Sequence, residues 1–264
     1  MLVRTLTVSV VLSLSALASA QSIDVTSALR LVEGETHGFD YEYDDGVLVS
    51  AQTPATSGAW NETRVADQVD YWGFAVGTAT ADEQSAVDAD ALTFDCEATA
   101  STAGNHFSAD ARAGCSFEVH FQLLERVRYS ADFFAQSTLG YNTASVTLAL
   151  EQGPTLLAAD GDYGASETTL ATGWLAPGDY VLRASTESFA YGTHAQPDAH
   201  VSSCVGALHV YHPLDYHMDG DVTRRDRRDF RRAWLIGHPS ADFDDNGVVN
   251  AADWAAYWAA WLAY

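Results

Sequence analysis

Residues 242–253 read Asp-Phe-Asp-Asp-Asn-Gly-Val-Val-Asn-Ala-Ala-Asp. With Asp242 as position 1 of a twelve-residue loop, side-chain oxygens fall at positions 1, 3, 5, 9 and 12: Asp242, Asp244, Asn246, Asn250 and Asp253. Gly247 takes position 6, and Val248 at position 7 offers its backbone carbonyl. A hard divalent cation such as Ca²⁺ takes six to eight oxygens, so carboxylates and amides must converge from one short loop. Glycine at position 6 permits the sharp turn this requires. The spacing is that of an EF-hand-type calcium loop.

A second copy lies 27 residues upstream, at 215–226. Asp215, His217, Asp219, Asp221, Thr223 and Asp226 hold positions 1, 3, 5, 7, 9 and 12, with Gly220 at position 6. Val222 and Val249 occupy position 8 in the two copies and are expected to turn inward. The self-similarity continues past the loops, where Phe230 matches Tyr257, Ala233 matches Ala260, Trp234 matches Trp261 and Leu235 matches Leu262. A loop-plus-helix recurring at a fixed offset is the mark of an internal repeat. His217 departs from the pattern, because imidazole is a poor ligand for a cation that prefers oxygen. Two Ca²⁺ sites are therefore expected, the second the stronger.

Two tandem loops ending in Asp, each followed by one helix and lacking an entering helix, resemble a dockerin domain of type I. The short offset is similar to the compact variant of planctomycete-like exported proteins. The resemblance covers 213–264, about a fifth of the chain. It implies paired calcium sites and helices that dock onto a cohesin-type partner, often anchoring a polysaccharide-active enzyme or a carbohydrate-binding module. Positions 10 and 11, the family's recognition pair, are Arg224-Arg225 in one repeat and Ala251-Ala252 in the other, so the pseudo-symmetry is broken there.

The elements that must position these loops differ from the rest of the chain. Residues 224–232 read RRDRRDFRR, and 250–264 are Ala-rich and helix-forming. Arg224, Arg225, Arg228, Arg231 and Arg232 either face a partner or neutralise the acidic loops. Trp254, Tyr257, Trp258 and Trp261 share one helical face, which reads first as core. Trp254 and Trp258 align with Arg227 and Arg231, which points one flank toward the surface, to cover a partner or the chain's own β-domain.

From 27 to 211 the pattern is period two, with clear alternation at 117–123, 145–150 and 180–184. Less regular segments lie near 28–33, 38–43, 71–76, 91–99, 106–112, 128–135, 167–174 and 201–211. Turn residues punctuate them at Asp44-Asp45-Gly46, Ala103-Gly104-Asn105, Asp160-Gly161-Asp162 and Pro177-Gly178-Asp179. Many short strands between turns predict a jelly-roll-like antiparallel β-sandwich over 21–212, followed by a small α-helical domain over 213–264. The stretch 175–182 resembles the turn-then-strand that closes many extracellular bacterial sandwich modules.

Residues 1–20 read as an export signal, with Arg4 in the n-region, an apolar run at 8–17 and Ala18-Ser19-Ala20 for cleavage. The apolar run is too short to span a bilayer comfortably, and no second run approaches that length, so the mature chain is expected to be exported and without a transmembrane segment. Export permits disulfides. Cys96, Cys115 and Cys204 each lie on the apolar side of an alternating segment. They read as three small buried hydrophobes, or as one bridge, most simply Cys96–Cys115 on neighbouring strands, with one thiol left over.

The chain of 264 residues carries 36 Asp+Glu against 13 Lys+Arg, a formal charge of −23, and every base is Arg. Without lysine there is no Schiff-base chemistry and no P-loop. The acidic balance argues against nucleic acid as a partner. Residues 213–264 hold nine Asp and six Arg, net −3, which two Ca²⁺ would bring to +1. No GxSxG, HExxH or CxxC occurs. His194, His200, His209 and His212 lack metal-ligand spacing and read as surface or strand residues. Trp60, Tyr71, Trp72 and Tyr191 could stack sugars, or fill the sandwich core. Three function classes follow: a non-catalytic exported module tethered through its calcium domain, a polysaccharide-active hydrolase or lyase with a jelly-roll catalytic domain and the same tether, and a free-standing calcium-stabilised structural protein.

Overall fold

Alternation along the sequence becomes strands with one buried face. In the strand Ser108–Leu123, every odd-numbered residue from Ala109 to Leu123 is buried, while the residues between keep solvent contact. That is the pleat's period of two. The structure is a computed structural model and describes residues 23–39, 44–53, 57–69, 75–104, 108–192 and 198–264. The export signal, Tyr71, Trp72 and His194 lie outside the described residues.

Twelve strands are described: β1 (Asp24–Phe39), β2 (Asp44–Thr53), β3 (Gly58–Val69), β4 (Ala75–Val87), β5 (Ala91–Gly104), β6 (Ser108–Leu123), β7 (Val127–Ser137), β8 (Thr143–Leu150), β9 (Thr155–Asp160), β10 (Ser166–Leu175), β11 (Gly178–Gly192) and β12 (Asp198–Tyr211). They form two antiparallel sheets of six, ordered β2-β1-β6-β11-β8-β9 and β10-β7-β12-β5-β4-β3. The last eight strands supply four neighbours in each sheet, β6-β11-β8-β9 and β5-β12-β7-β10. This interleaving is the order of a jelly roll. β1 and β2 extend one sheet beyond β6, and β3 and β4 extend the other beyond β5.

Several elements differ from the sequence reading. From Ser108 on, the segment at 106–112 and the one at 117–123 are parts of one strand, β6, because Gly114 and Cys115 continue the pleat. Asp44-Asp45-Gly46 begins β2 and is not a turn. β2, β3 and β9 had no counterpart in the pattern, and β4 begins at Ala75, where the 71–76 segment ends. Their inward faces carry few large β-branched or aromatic residues, the usual strand signal. Ala66, Ala79 and Ala81 are fully buried where the two sheets come close. A Cβ built on Gly77 would stand 2.8 Å from the Asp110 carbonyl, so glycine is required there. The core thickens toward its other end, where Phe94 stacks on Phe117 with ring centroids 5.6 Å apart.

The expected placement of Cys96 and Cys115 on neighbouring strands is corrected. All three cysteines are free and buried. Cys96 lies on β5 and Cys115 on β6, which belong to opposite sheets, so strands adjacent in sequence face each other across the core and are not paired edge to edge. The cross-strand neighbour of Cys96 is Cys204 on β12.

After β12 the chain leaves the sheets and forms α1 (Arg224–Leu235) and α2 (Ala251–Ala263), which enclose a second core. Leu214, Phe230, Ala233, Ala241 and Tyr257 are buried in it, with Val222, Phe243, Val249 and Trp254 packed against them. No helix among the described residues is long and apolar enough to cross a membrane.

Candidate metal centre

The two acidic loops share one backbone. Met218 and Asp245, both at position 4, have φ of 56° and 60°. Gly220 and Gly247, both at position 6, have φ of 90° and 82°. Two left-handed residues separated by one coil the chain tightly and turn its amide hydrogens toward the position-1 carboxylate. Asp215 accepts from the Gly220 amide at 2.8 Å and the Asp219 amide at 3.3 Å. Asp242 accepts from the Gly247 amide at 2.7 Å and the Asn246 amide at 3.1 Å.

Position 12 closes each loop. Asp226 accepts from the amides of His217 (3.1 Å) and Thr223 (2.8 Å). Asp253 accepts from the amides of Asp244 (3.2 Å), Asn250 (2.7 Å) and Phe243 (2.7 Å). Both acids are also the third residue of a capping box, with Thr223 and Asn250 as the N-caps. Burial works against ionisation of Asp253, but the backbone donations outweigh it and hold its carboxyl below the usual range. Asp226 is held low in the same way, against its own burial, by Thr223 and His217. Asp215 goes the other way, since burial raises it.

The loops differ in what they present. In the second, Asp242, Asp244 and Asp253 each bring a carboxylate oxygen within 4.8 Å of the other two. Among the described residues this is the one group of three or more acid, His or Cys side chains so close. Asn246 and Asn250 are engaged locally: Asn246 accepts from the Val248 amide at 2.9 Å, and Asn250 caps α2 and donates to the Val248 carbonyl at 3.0 Å. In the first loop the imidazole of His217 stands where Asp244 stands in the second. Its ring nitrogens lie 2.8 Å from Asp226 and 3.0 Å from Asp229. Asp219 accepts from the Asp221 amide at 3.2 Å, and the Thr223 hydroxyl donates to Asp226 at 2.7 Å. Asp215, Asp219 and Asp226 therefore do not close into a triad like that of the second loop.

The residues read as partner-facing divide into two sets. Arg224, Arg225, Arg228, Arg231 and Arg232 are exposed on α1, with Arg228 paired to Asp229 at 2.8 Å. Trp254 and Trp258 are half-buried within the small unit itself. Trp254 lies against Phe230 and Trp234, and Arg227 sits over the Trp258 ring at 5.5 Å.

Other residues meet the sandwich. Arg126, just before β7, donates to the Phe243 carbonyl and lies 3.6 Å from Asp245. Arg128 donates to the Ser240 carbonyl at 3.0 Å. Both guanidiniums flank Trp174 of β10, at 4.0 and 4.5 Å from its ring centroid, and Trp174 meets Phe243 edge-on at 5.6 Å. Burial between Trp174 and Tyr216 pulls Arg128 down to about 10. Phe243 and Asp245 are positions 2 and 4 of the second loop, so the clamp grips the loop that holds the acid triad. The sequence reading passed over Arg126, Arg128 and Trp174. The one available signal was two of the sandwich's six arginines, separated by one residue in an otherwise acidic stretch.

The sandwich's own candidates do not converge. His200 pairs with Asp198 at 2.9 Å, His209 lies by Tyr211, and His212 lies against Tyr264 with its pKa lowered by burial. Trp60 packs on the core and Tyr191 is exposed. A buried polar cluster was missed: Arg30 points into the core and donates to Ser85 at 2.8 Å and to the Gly58 carbonyl at 3.1 Å. Nearby Glu83 is fully buried, its carboxylate oxygens make no hydrogen bond, and burial pushes its carboxyl up to about 7.

No protein-family model matches the chain. No curated protein matches it. Among solved structures it is similar to that of the infectious bursal disease virus Gx strain, with 10% identity over 71% of this chain and 56% of that one, at a TM-score of 0.21. The structure of the Gt strain of the same virus gives 7% identity over 74% of this chain and 58% of that one, at a TM-score of 0.19. The chain spans a little over half the length of these two, and likeness at this level carries no functional meaning.

Proposed function

We propose that residues 213–264 are a calcium-binding, dockerin-like module carried by an exported β-sandwich. The sandwich binds or displays a ligand and does not catalyse, and the module tethers it to a cohesin-type partner or a polysaccharide-associated or cell-surface assembly. One observation supports this most: the two loops repeat the same hydrogen bonds and the same left-handed positions at a 27-residue offset, and the second gathers three carboxylates within 4.8 Å. An acidic turn on a solvated surface has no reason to repeat its backbone in this detail.

In this reading Asp242, Asp244 and Asp253 hold the stronger ion, joined by Asn246, Asn250 and the Val248 carbonyl. Asp215, Asp219, Thr223, Asp226 and the Asp221 carbonyl hold the weaker one, with His217 swung away or replaced by water. Calcium supplies positive charge to a carboxylate cluster that otherwise repels itself, so binding and folding of the module are coupled. The exposed arginines of α1 form the partner face.

A second reading draws support from the Arg126–Phe243 contact: the module docks on its own sandwich and calcium stabilises the whole. Thermal unfolding of the full chain in excess Ca²⁺ and in chelator tests the common premise. An early transition that calcium shifts upward by about 5 °C or more is expected. Identical melting curves would contradict both readings. Calcium-dependent capture by an immobilised cohesin-type domain supports the tether, and its absence together with a calcium shift supports the self-docked reading.

A further inference from the structure

The sandwich core holds three thiols that the calcium reading does not use. Cys96 on β5 and Cys204 on β12 face each other directly across an antiparallel pair, and both are fully buried. Cys115 approaches from β6 in the opposite sheet and is 3% exposed. The thiols sense one another. Burial raises Cys96 well above the ordinary range, with Cys115 adding to it, and contact with Cys96 leads the causes that raise Cys204.

Strand register distinguishes the possible pairings, since Cys204 is the direct cross-strand partner of Cys96 and Cys115 is not. Residues directly opposite in an antiparallel pair have Cα atoms about 4.5–5.5 Å apart, inside the roughly 4.4–6.8 Å that a disulfide spans. Cys115 reaches the same thiols from β6, which is not hydrogen-bonded to β5 or β12, so no strand register aligns it with either of them. We propose that Cys96 and Cys204 form a cross-strand disulfide that ties β12 to β5, with Cys115 left as a buried free thiol.

The oxidant is a low-molecular-weight disulfide, R–S–S–R. The thiolate of one cysteine attacks an R sulfur, forming a mixed disulfide and releasing one R–S⁻. The second cysteine then attacks the protein sulfur of that mixed disulfide, forming Cys96–Cys204 and releasing the other R–S⁻. The two thiol protons end on the two R–SH products, and two electrons pass from the protein to the oxidant. Buried thiols with raised pKa are poor nucleophiles, so exchange takes place before β12 is sealed between β5 and β7. The folded reduced chain should then resist the same oxidant.

The test refolds the full chain from denaturant in mixed reduced and oxidised glutathione, then counts thiols after denaturation in acid. One free thiol per chain is expected, against three for chain refolded with reductant alone. Peptide mapping should find Cys96 linked to Cys204. The oxidised form should melt on the order of 10 °C above the reduced one, since the bridge closes about a hundred residues. Cys115→Ala should leave no free thiol, and Cys204→Ala should leave two. Three free thiols after oxidative refolding, or a mapped bridge that includes Cys115, would overturn the proposal. Mapping is done on the unsubstituted chain, so its outcome does not depend on either variant folding.

Discussion

The rings of Phe230 and Tyr257 stack face to face with centroids 3.8 Å apart and 7° between their planes. The two residues are one repeat length apart, so the same position from each copy meets its counterpart at the centre of the small unit. Both are fully buried, and Phe243, Tyr216 and Trp254 close around them. Neither repeat can bury its aromatic alone, and this makes the pair the folding unit. Phe230→Ala should cost about 3–5 kcal/mol, enough to unfold a module of this size. Near-ultraviolet circular dichroism should lose the module's tryptophan signal while the sheet signal in the far ultraviolet persists. Tyr257→Phe should be neutral or stabilising by about 1 kcal/mol, because the Tyr257 hydroxyl is buried without a hydrogen-bond partner.

His217→Asp should convert the first loop to the carboxylate pattern of the second. It removes the imidazole wedged between Asp226 and Asp229 and restores oxygen at position 3. Calcium affinity of the first site should rise by tenfold or more, about 1.4 kcal/mol. Competition against a chromophoric chelator reads the change, and an unaltered weak site would show that position 3 does not limit it.

Glu83 sets a pH dependence of the opposite sign to that of a salt-bridged acid. Burial raises its native pKa to about 7 from 4.5, with Asp82 adding and Ser85 and Arg30 opposing. The native state thus keeps a proton that the unfolded chain has lost, and stability falls as pH rises from about 4.5 through about 7. The span is worth on the order of 3 kcal/mol. Glu83→Gln should flatten that slope and stabilise the sandwich near neutral pH. Denaturant midpoints at pH 5 and pH 8 measure both, and an equal slope in the variant would remove Glu83 as the cause.

Arg126→Ala should loosen the module from the sandwich without unfolding either. The guanidinium gives up its donation to the Phe243 carbonyl, its pairing with Asp245 and its stacking on Trp174, together about 1–3 kcal/mol. Limited proteolysis near 212–214 should accelerate severalfold, and Trp174→Ala should act alike. Unchanged cleavage in both variants would show that the clamp does not hold the two units together.

The alternation of β6, β8 and β11 was legible because large apolar residues mark every second position. β3 and β4 were not, because their inward faces mix the small residues Ala66, Gly77, Ala79 and Ala81 with the polar Glu83 and Ser85, so no run of large apolar residues marks every second position. Spacing alone picked out Asp242, Asp244 and Asp253, since a twelve-residue loop is a local object. The pairing of Cys96 with Cys204 and the Arg126–Trp174–Arg128 clamp depend on which strands become neighbours. That is set by the sandwich topology, and no local pattern encodes it.

Calorimetric titration of the full chain with Ca²⁺ tests the calcium assignment most directly. Two binding events of unequal affinity are predicted, with Asp253→Ala abolishing the tighter one and His217→Ala leaving it intact. No binding heat at any calcium concentration, or a tight event that survives Asp253→Ala, would contradict it.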